Sequence, residues 1–430
     1  MRYAVISKGL TISQLQDEVK RCGGRNLRVA LASKQVFCDL DEVSIIKLGT
    51  TGCSITKVGG VKATVMPPIV TPPTPIAAAP VYSPQQLIWD IGLEDMRSIT
   101  DPPLYGEGVN LAIIGTGIRE THKRISGHVV YRKNYTTDPM RDGLDHDTGI
   151  CDIALAVAPL CSILNMKALN DKGEGTEEDV ALAIDDCVLF HDTQPDIAPT
   201  VINLSLGSPD DGNPNNPLRV ACRAAIDKGI WVLASAGNYG PIPYSVTTPA
   251  CEHYVFAIGS IKYEPFIVSD WSSRGPTLEG QIKPDVVMFG EDISMASSAS
   301  DTATTAKSGT SFAVPFCSGM VVLVHEGLYR QVIYEEEEIP GVLAPEVLGW
   351  VLPAQDVIDT YLSWVCVKPE GAPTGKDYDY GYGLPMASFL YRAVTMRPLL
   401  DISTMMAPIM GIAVLGMLGM MITPMVKGAG

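Results

Sequence analysis

Between about residues 84 and 395, short apolar segments alternate with amphipathic helical patterns, and this alternation restricts the possible folds more than any other feature. The predicted strands are Val109–Ile114, Ser162–Lys167, Thr200–Leu204, Gly229–Ser235 and Tyr254–Ile258, and the helices between them include Glu177–Leu189 and Pro217–Lys228. Continuous apolar strands separated by helices are typical of a parallel sheet that is buried on both faces. We therefore predict an α/β domain with a doubly wound parallel sheet, whose ligand site lies beyond the carboxyl ends of the strands.

Residues 1–65 have a different pattern, which predicts a small, ferredoxin-like α/β domain. Its predicted elements are a strand at Tyr3–Ser7, a helix at Ile12–Cys22, a strand at Leu27–Leu40, a short helix at Glu42–Leu48 and a strand at Ser54–Thr64. Thr11 and Gln14 form a capping-box pattern at the start of the first helix. Residues 66–83 contain six prolines and predict an extended linker to the domain at 84–395.

The composition excludes several classes of function. The net charge of −16 makes nucleic acid a poor partner, because like charges repel. The ten cysteines form no CxxC pair and no cluster with histidine, which argues against a zinc site. Several of them lie in apolar stretches and are predicted to be reduced, buried thiols. We predict no metal and no other cofactor; a structural calcium ion is not indicated.

The C-terminal part of the chain is apolar. Residues 405–426 form a run of 22 uncharged residues, long enough to span a bilayer, so we predict a transmembrane anchor at 403–426. Its methionines, glycines and two prolines also fit a self-associating or interfacial segment. Arg397 and Lys427 flank it almost evenly, so the side of the membrane is not predicted. Residues 1–7 predict a strand and not a signal peptide.

Four short motifs lie at the ends of predicted strands or the starts of predicted helices. In chain order they are Gly115-Thr116-Gly117, Asp145-His146-Asp147-Thr148-Gly149, Ser205-Leu206-Gly207 followed by Ala236-Gly237-Asn238, and Gly309-Thr310-Ser311. Ser311 begins an apolar helical run, where free backbone N–H groups and the helix dipole favour negative charge. A serine there is well placed to attack a carbonyl, because those N–H groups can bind the developing oxyanion.

In this order the motifs resemble those of the subtilisin-like serine peptidases, over about residues 84–395. The resemblance implies that His146 accepts the proton of Ser311, and that the Asn238 amide and the Ser311 backbone N–H bind the oxyanion. It further implies a peptide-binding cleft lined by Ser205, Leu206, Gly207, Ala236 and Gly237. The expected function is therefore a serine endopeptidase that acts on peptides or proteins through an acyl-enzyme.

The N-terminal domain resembles the propeptide of that family, which is a small chaperone and intramolecular inhibitor. This resemblance implies a processing site in the linker at 66–83 or just after it. A permanently attached docking domain is the alternative.

Three positions depart from the family's pattern. Gly115 occupies the position of the triad aspartate, and Asp147 and Gly149 replace a glycine and a second histidine of the histidine motif. The missing carboxylate normally fixes the histidine tautomer and stabilises the imidazolium. Its loss costs about 10⁴ in kcat in serine peptidases.

Two hypotheses account for the missing aspartate. In the first, Asp147 or Glu120 orients His146, although side chains of neighbouring helical residues point about 100° apart and meet with difficulty. In the second, the domain has lost catalysis and serves as a membrane-tethered module that binds peptides.

Overall fold

The computed structural model describes residues 1–64, 80–98, 102–338, 362 and 365–387. Most of the predicted linker at 66–83 and the whole predicted membrane segment at 403–426 lie outside these residues. Those two predictions, and the predicted domain end near 395, therefore stay predictions.

The N-terminal domain is a four-stranded antiparallel sheet with two helices. Its elements are β1 Arg2–Ile6, α1 Ile12–Arg21, β2 Arg25–Ala30, β3 Gln35–Asp39, α2 Glu42–Gly49 and β4 Ser54–Lys57. The strand order is β2-β3-β1-β4. Leu15, Val19 and Leu48 of the helices pack with Val5 and Val36 of the strands in one apolar core. The capping box is present, with the Gln14 N–H donating to Thr11 Oγ1 and the Thr11 N–H to Gln14 Oε1.

Two predicted strands of this domain were wrong in extent. The segment 27–40 forms a hairpin, because residues 31–34 turn the chain and Lys34 adopts φ 53°. Those four residues include neither glycine nor proline, so the sequence carries no strong turn signal. The segment 54–64 also divides, at Val58 and Gly59, into β4 and a fifth strand, β5 Gly60–Ala63, which joins a different sheet.

The second domain alternates strands and helices as predicted. Its first half contains α3 Pro84–Asp90, α4 Leu93–Ser98, β6 Asn110–Gly115, β7 Val129–Asn134, α5 Asp147–Val157, β8 Ser162–Lys167, β9 Glu174–Thr176, α6 Glu177–Thr193 and a 3-10 turn at Pro195–Ile197. Its second half contains β10 Val201–Leu204, β11 Leu206–Gly207, α7 Pro217–Asp227, β12 Trp231–Ser235, β13 Phe256–Ile261, β14 Val286–Phe289, β15 Ile293–Ala296, β16 Thr304–Lys307, α8 Thr310–Glu338, β17 Cys366–Val367 and β18 Leu384–Pro385.

Seven parallel strands form the central sheet, in the order β14-β13-β12-β10-β6-β8-β7. Successive residues of β6 face opposite sides: Leu111 and Ile113 pack in the core with α5 and α8, and Ala112 and Ile114 pack in the core with α6 and α7. This confirms the doubly wound α/β fold. The sequence patterns did not predict β7, an edge strand whose side chains are half-buried or exposed.

The helix that begins at Thr310 crosses the core of this domain. Its segment Thr310–Leu328 is long and apolar enough to cross a membrane, but 89% of its most apolar window is buried inside the protein. It contacts α5 and five strands of the central sheet, β6, β10, β12, β13 and β14, and it is a core helix of the α/β domain. All ten cysteines lie in the described part of the chain as free thiols, and nine of them are buried.

Candidate active site

The Ser311 hydroxyl lies at the buried N-terminal end of α8, where it contacts the N-terminal domain's last described residue. Ser311 Oγ is 2.7 Å from the Thr64 carbonyl oxygen, 2.5 Å from Thr64 Oγ1 and 3.1 Å from the Ser205 carbonyl oxygen. The Ser205 hydroxyl in turn donates to the Ser311 carbonyl at 2.8 Å. Ser205 follows β10, so the carboxyl end of a central strand and a helix N-terminus together position Ser311.

Thr64 reaches this place because β5 lies in a cleft as the middle strand of a three-stranded antiparallel sheet. On one side Ala63 and Lys62 pair with Leu206 and Gly207, and on the other side β5 pairs with β9. The Ala63 N–H donates to the Gly173 carbonyl at 2.9 Å. An extended segment held by main-chain bonds from both sides has the geometry of a bound peptide.

The Asn238 side chain binds the same carbonyl as Ser311. Its Nδ2 donates to the Thr64 carbonyl oxygen at 2.8 Å. Its Oδ1 accepts from the Thr310 N–H at 3.0 Å and the Thr310 hydroxyl at 2.9 Å, so the Asn238 amide can have only this orientation. The Thr64 carbonyl is therefore polarised by an amide and approached by a hydroxyl at the same time.

His146 and Asp147 form a buried pair next to this site. His146 Nδ1 is 2.7 Å from Asp147 Oδ1, and the two side chains are only 1% and 2% exposed. Since Nδ1 donates to the carboxylate, Nε2 carries the lone pair. Nε2 has no hydrogen-bond partner among the described residues, and the ring lies edge-on to Phe312, the neighbour of Ser311, with centroids 5.5 Å apart.

The expectation that neighbouring side chains would meet only with difficulty here was wrong. It assumed helical geometry at both residues, whereas His146 is the N-cap of α5, with φ −124° and ψ −65°. That backbone conformation turns its imidazole towards the carboxylate of the next residue. Glu120, the alternative partner, instead accepts from Asn165 Nδ2 at 2.8 Å and pairs with Arg132 at 3.2 Å, so the structure does not support it.

A second buried carboxylate holds the His146 backbone. Asp142 Oδ2 accepts from the N–H groups of His146 at 2.8 Å and Thr148 at 3.0 Å, and Asp142 Oδ1 accepts from the Thr116 hydroxyl at 3.0 Å. Burial, and next the nearby charge of Asp147, raise the pKa of the Asp142 carboxyl. Its three hydrogen bonds fix the start of α5 and thus the position of the imidazole.

The N-terminal domain also contacts the first turn of α6 through charged groups. Arg2 makes a two-bond contact with Glu178, at 2.6 and 2.7 Å, and Arg28 pairs with Asp179 at 2.8 Å. Farther along α6, the Ser33 N–H donates to the buried carboxylate of Asp185 at 2.7 Å. These contacts hold the domain in the position that directs β5 into the cleft.

The structure thus gathers most of the predicted site residues around Thr64. Ser311, Asn238, Ser205, Leu206 and Gly207 all contact residues 62–64. No hydrogen bond joins Ala236 or Gly237 to residues 60–64 in the described chain, and Ser311 N–H makes none with Thr64 there, so these three roles stay predictions.

Sequence reasoning assigned no role to four residues of the site, namely Thr64, Asp142, Ser235 and Thr310. Ser235 Oγ is 2.7 Å from Thr64 Oγ1. The proline-rich segment that begins at residue 66 was the signal that could have directed attention to the residues just before it. The described residues contain no cluster of three or more side chains suited to a metal ion.

Comparison with known proteins assigns the family. A sequence model of the subtilase family matches residues 106–383, well over half of the chain. The chain belongs to the subtilase family. Its subtilase domain is 28% identical over 256 residues to the serine protease AprX of Bacillus subtilis (strain 168), covering 51% of this chain and 58% of that protein.

Two further relatives agree with this assignment. A subtilisin of Bacillus sp. (strain TA39) is 28% identical over 246 residues, or 51% of this chain and 57% of the relative. A thermophilic serine proteinase of Bacillus sp. (strain AK1) is 32% identical over 232 residues, or 50% of this chain and 52% of the relative. The chain therefore spans little more than half the length of these subtilases.

Proposed function

We propose that this subtilase is a serine endopeptidase and that its first substrate is its own chain, at the peptide bond after Thr64. One observation carries the proposal: the Thr64 carbonyl oxygen accepts a hydrogen bond from Asn238 Nδ2 while the Ser311 hydroxyl lies 2.7 Å from it. A binding module needs neither group at that carbonyl, whereas acyl transfer needs both a nucleophile and an oxyanion donor.

The residues of the site have distinct roles in this reaction. Ser311 Oγ attacks the Thr64 carbonyl carbon as His146 Nε2 takes the hydroxyl proton. Asn238 Nδ2 stabilises the negative charge that develops on the carbonyl oxygen. His146 then gives the proton to the leaving amine of Val65 as the peptide bond breaks. Water next attacks the Thr64–Ser311 ester while His146 takes its proton, and His146 returns that proton to Ser311 Oγ as the ester bond breaks.

The segment 60–64 also indicates which peptides this cleft accepts. Val61 is only 1% exposed and packs in the core beneath α6 and α7, whereas Lys62 is exposed and pairs with Glu174 at the rim. Thr64 is buried beside Ser235. We propose protein substrates with a small residue before the cleaved bond and an apolar residue three positions earlier.

After cleavage the N-terminal domain is expected to remain as an inhibitor. Its retention is supported by the ion pairs of Arg2 and Arg28 with α6 and by the strand pairing of β5, which do not depend on the bond after Thr64. New substrates enter the cleft only when this domain leaves.

The purified full chain tests the proposal. During incubation we expect it to divide into residues 1–64 and a fragment whose N-terminal residue is Val65, as determined by mass spectrometry and N-terminal sequencing. Once the N-terminal fragment is removed, a fluorophosphonate probe is expected to label Ser311, because the hydroxyl beside Thr64 becomes accessible. Denatured protein, in which the site is absent, is the control and is expected to remain unlabelled.

A chain that stays intact, and that the probe does not label at Ser311, would contradict the proposal and favour the inactive peptide-binding module. Cleavage at a different bond, or undiminished cleavage after Thr64 in a Ser311→Ala chain, would also contradict the proposal.

We also propose that residues 403–426 anchor the enzyme to a membrane, on the basis of their length and lack of charge. The full chain is expected to stay in the membrane pellet after alkaline carbonate extraction, and a chain that ends at residue 395 is expected to be released. Release of both chains to the same extent would exclude an anchor in this segment.

A further inference from the structure

Two of the departures from the family's pattern, Gly115 and Asp147, lie against each other in space. A Cβ atom placed on Gly115 would lie 2.5 Å from Asp147 Oδ2 and 2.9 Å from Asp147 Cγ. Such distances are shorter than van der Waals contact, and Gly115 is a fully buried strand residue. The Asp147 carboxylate therefore fills the space in which a side chain at position 115 would have to lie.

We infer that Asp147 is the positioning residue of His146 in this subtilase, and that Gly115 is the counterpart that makes room for its carboxylate. The carboxylate that the family's pattern places at the end of β6 is supplied here by the first residue of α5. This inference rests on the proposed peptidase function and explains how a chain without an aspartate at position 115 can carry it out.

Several contacts hold the carboxylate in the required orientation. Oδ1 binds the imidazole at 2.7 Å, and Oδ2 accepts from the Gly117 N–H at 3.3 Å. The Asp147 N–H donates to the Thr116 hydroxyl at 3.2 Å. Gly117 adopts φ 92°, and a Cβ there would lie 2.8 Å from the Arg141 carbonyl oxygen. The motif Gly115-Thr116-Gly117 thus lies beside Asp147. It provides hydrogen-bonding groups and room for the Asp147 carboxylate, and it does not provide the carboxylate itself.

A simpler role for Asp147 is to stabilise the N-terminus of α5, since an acidic residue in the first turn interacts favourably with the helix dipole. That role would not require a bond to the imidazole, nor a glycine at position 115. A variant with aspartate at position 115 and glycine at position 147 distinguishes helix stabilisation from orientation of His146. In this variant the carboxylate is no longer part of α5 but is still beside His146.

We therefore compare four full-length variants with the unchanged chain, measuring the rate of cleavage after Thr64 by mass spectrometry. Asp147→Asn and Asp147→Gly are each expected to slow cleavage by about 10⁴, the loss known for removal of this carboxylate from serine peptidases. The double variant Gly115→Asp with Asp147→Gly is expected to restore most of that rate. The matched control, Gly115→Asn with Asp147→Gly, fills the same space without charge and is expected to remain slow.

A spectroscopic readout makes the test independent of turnover. In a Ser311→Ala chain, the proton on His146 Nδ1 is expected to give a low-field proton NMR resonance, because it is held in a buried, charge-assisted bond. Adding Asp147→Asn is expected to remove this resonance, and the exchanged pair at positions 115 and 147 is expected to return it.

The outcomes distinguish the inference from the function on which it rests. Undiminished cleavage by Asp147→Asn, or a low-field resonance that survives that substitution, would overturn the role of Asp147 and leave the peptidase intact. Equal cleavage by the exchanged variant and its Asn control would overturn it as well. If the unchanged chain is not cleaved, the proposed function fails, whereas a resonance that follows the carboxylate still supports the pairing.

Discussion

Replacing His146 by alanine is expected to slow cleavage of the chain after Thr64 by about 10⁶, the loss known for subtilisin itself when its histidine or serine is removed. The Ser311 hydroxyl is a weak nucleophile at neutral pH and gains reactivity only if a base accepts its proton. His146 Nε2 is buried, belongs to a ring that packs against Phe312, and has no hydrogen-bond partner among the described residues, so it is available for this proton.

The same experiment shows whether the two residues act as a unit. Ser311→Ala alone and the double variant of Ser311 and His146 are expected to be about as slow as His146→Ala alone. The control is His253→Ala, since His253 is exposed and its imidazole contacts only Gln281 and Tyr254 among the described residues. Cleavage by His146→Ala at close to the rate of this control would mean that another group is the base.

Replacing Asp285 by asparagine is expected to lower the free energy of unfolding by about 3–5 kcal/mol, the cost of removing one partner from a buried ion pair. Asp285 has no exposed surface, and its carboxylate lies 2.7 Å from Lys283 Nζ and 2.7 Å from Lys376 Nζ. Lys283 is itself buried, and an amide cannot balance its charge.

The loss of stability is expected to affect the whole domain, because Asp285 joins separate parts of it. The carboxylate also accepts from the Ala257 N–H of β13, and the Asp285 carbonyl accepts from the Tyr382 N–H near the end of the described chain. We expect a urea titration to show the loss as a lower midpoint with an unchanged slope. The control is Asp379→Asn, whose partner Arg274 lies 3.3 Å away and whose side chain is 62% exposed. Its effect is expected to stay below about 1 kcal/mol, and an equal effect of the two variants would contradict the prediction.

The same carboxylate predicts a pH dependence. Burial acts to raise the pKa of Asp285, but Lys283 and Lys376 outweigh it and hold the pKa below its ordinary value. A carboxyl whose pKa is lower in the folded protein stabilises that protein at pH values above the pKa of the unfolded chain, which is about 4 for aspartate. This stabilisation is lost as the pH falls towards the pKa of the folded state. The stability difference between the unchanged chain and Asp285→Asn is therefore expected to shrink as the pH is lowered below about 4.

The candidate site residues were found in the sequence because the motifs occur in the order of a known family, and because each motif lies where a strand ends or a helix begins. Ser311 lies in the first turn of an apolar helix, Asn238 follows an apolar strand, and His146 opens a helix. Burial of both sheet faces required the parallel arrangement that brings such positions to one edge. The choice between Asp147 and Glu120 could not be made in this way, because it depended on the non-helical backbone of His146 and on bonds from Asn165 and Arg132.

The amino-acid sequence by itself determined the alternation of strands and helices, the capping box of α1 and the order of the motifs, because these follow from burial and hydrogen bonding over a few neighbouring residues. Only the tertiary structure decided that residues 60–64 leave the N-terminal sheet and lie between β9 and β11, and that the Asp147 carboxylate occupies the space over Gly115. The physical reason is that these contacts join residues far apart in the chain. Thr64 and Ser311 are 247 positions apart, and their contact depends on how the two domains pack.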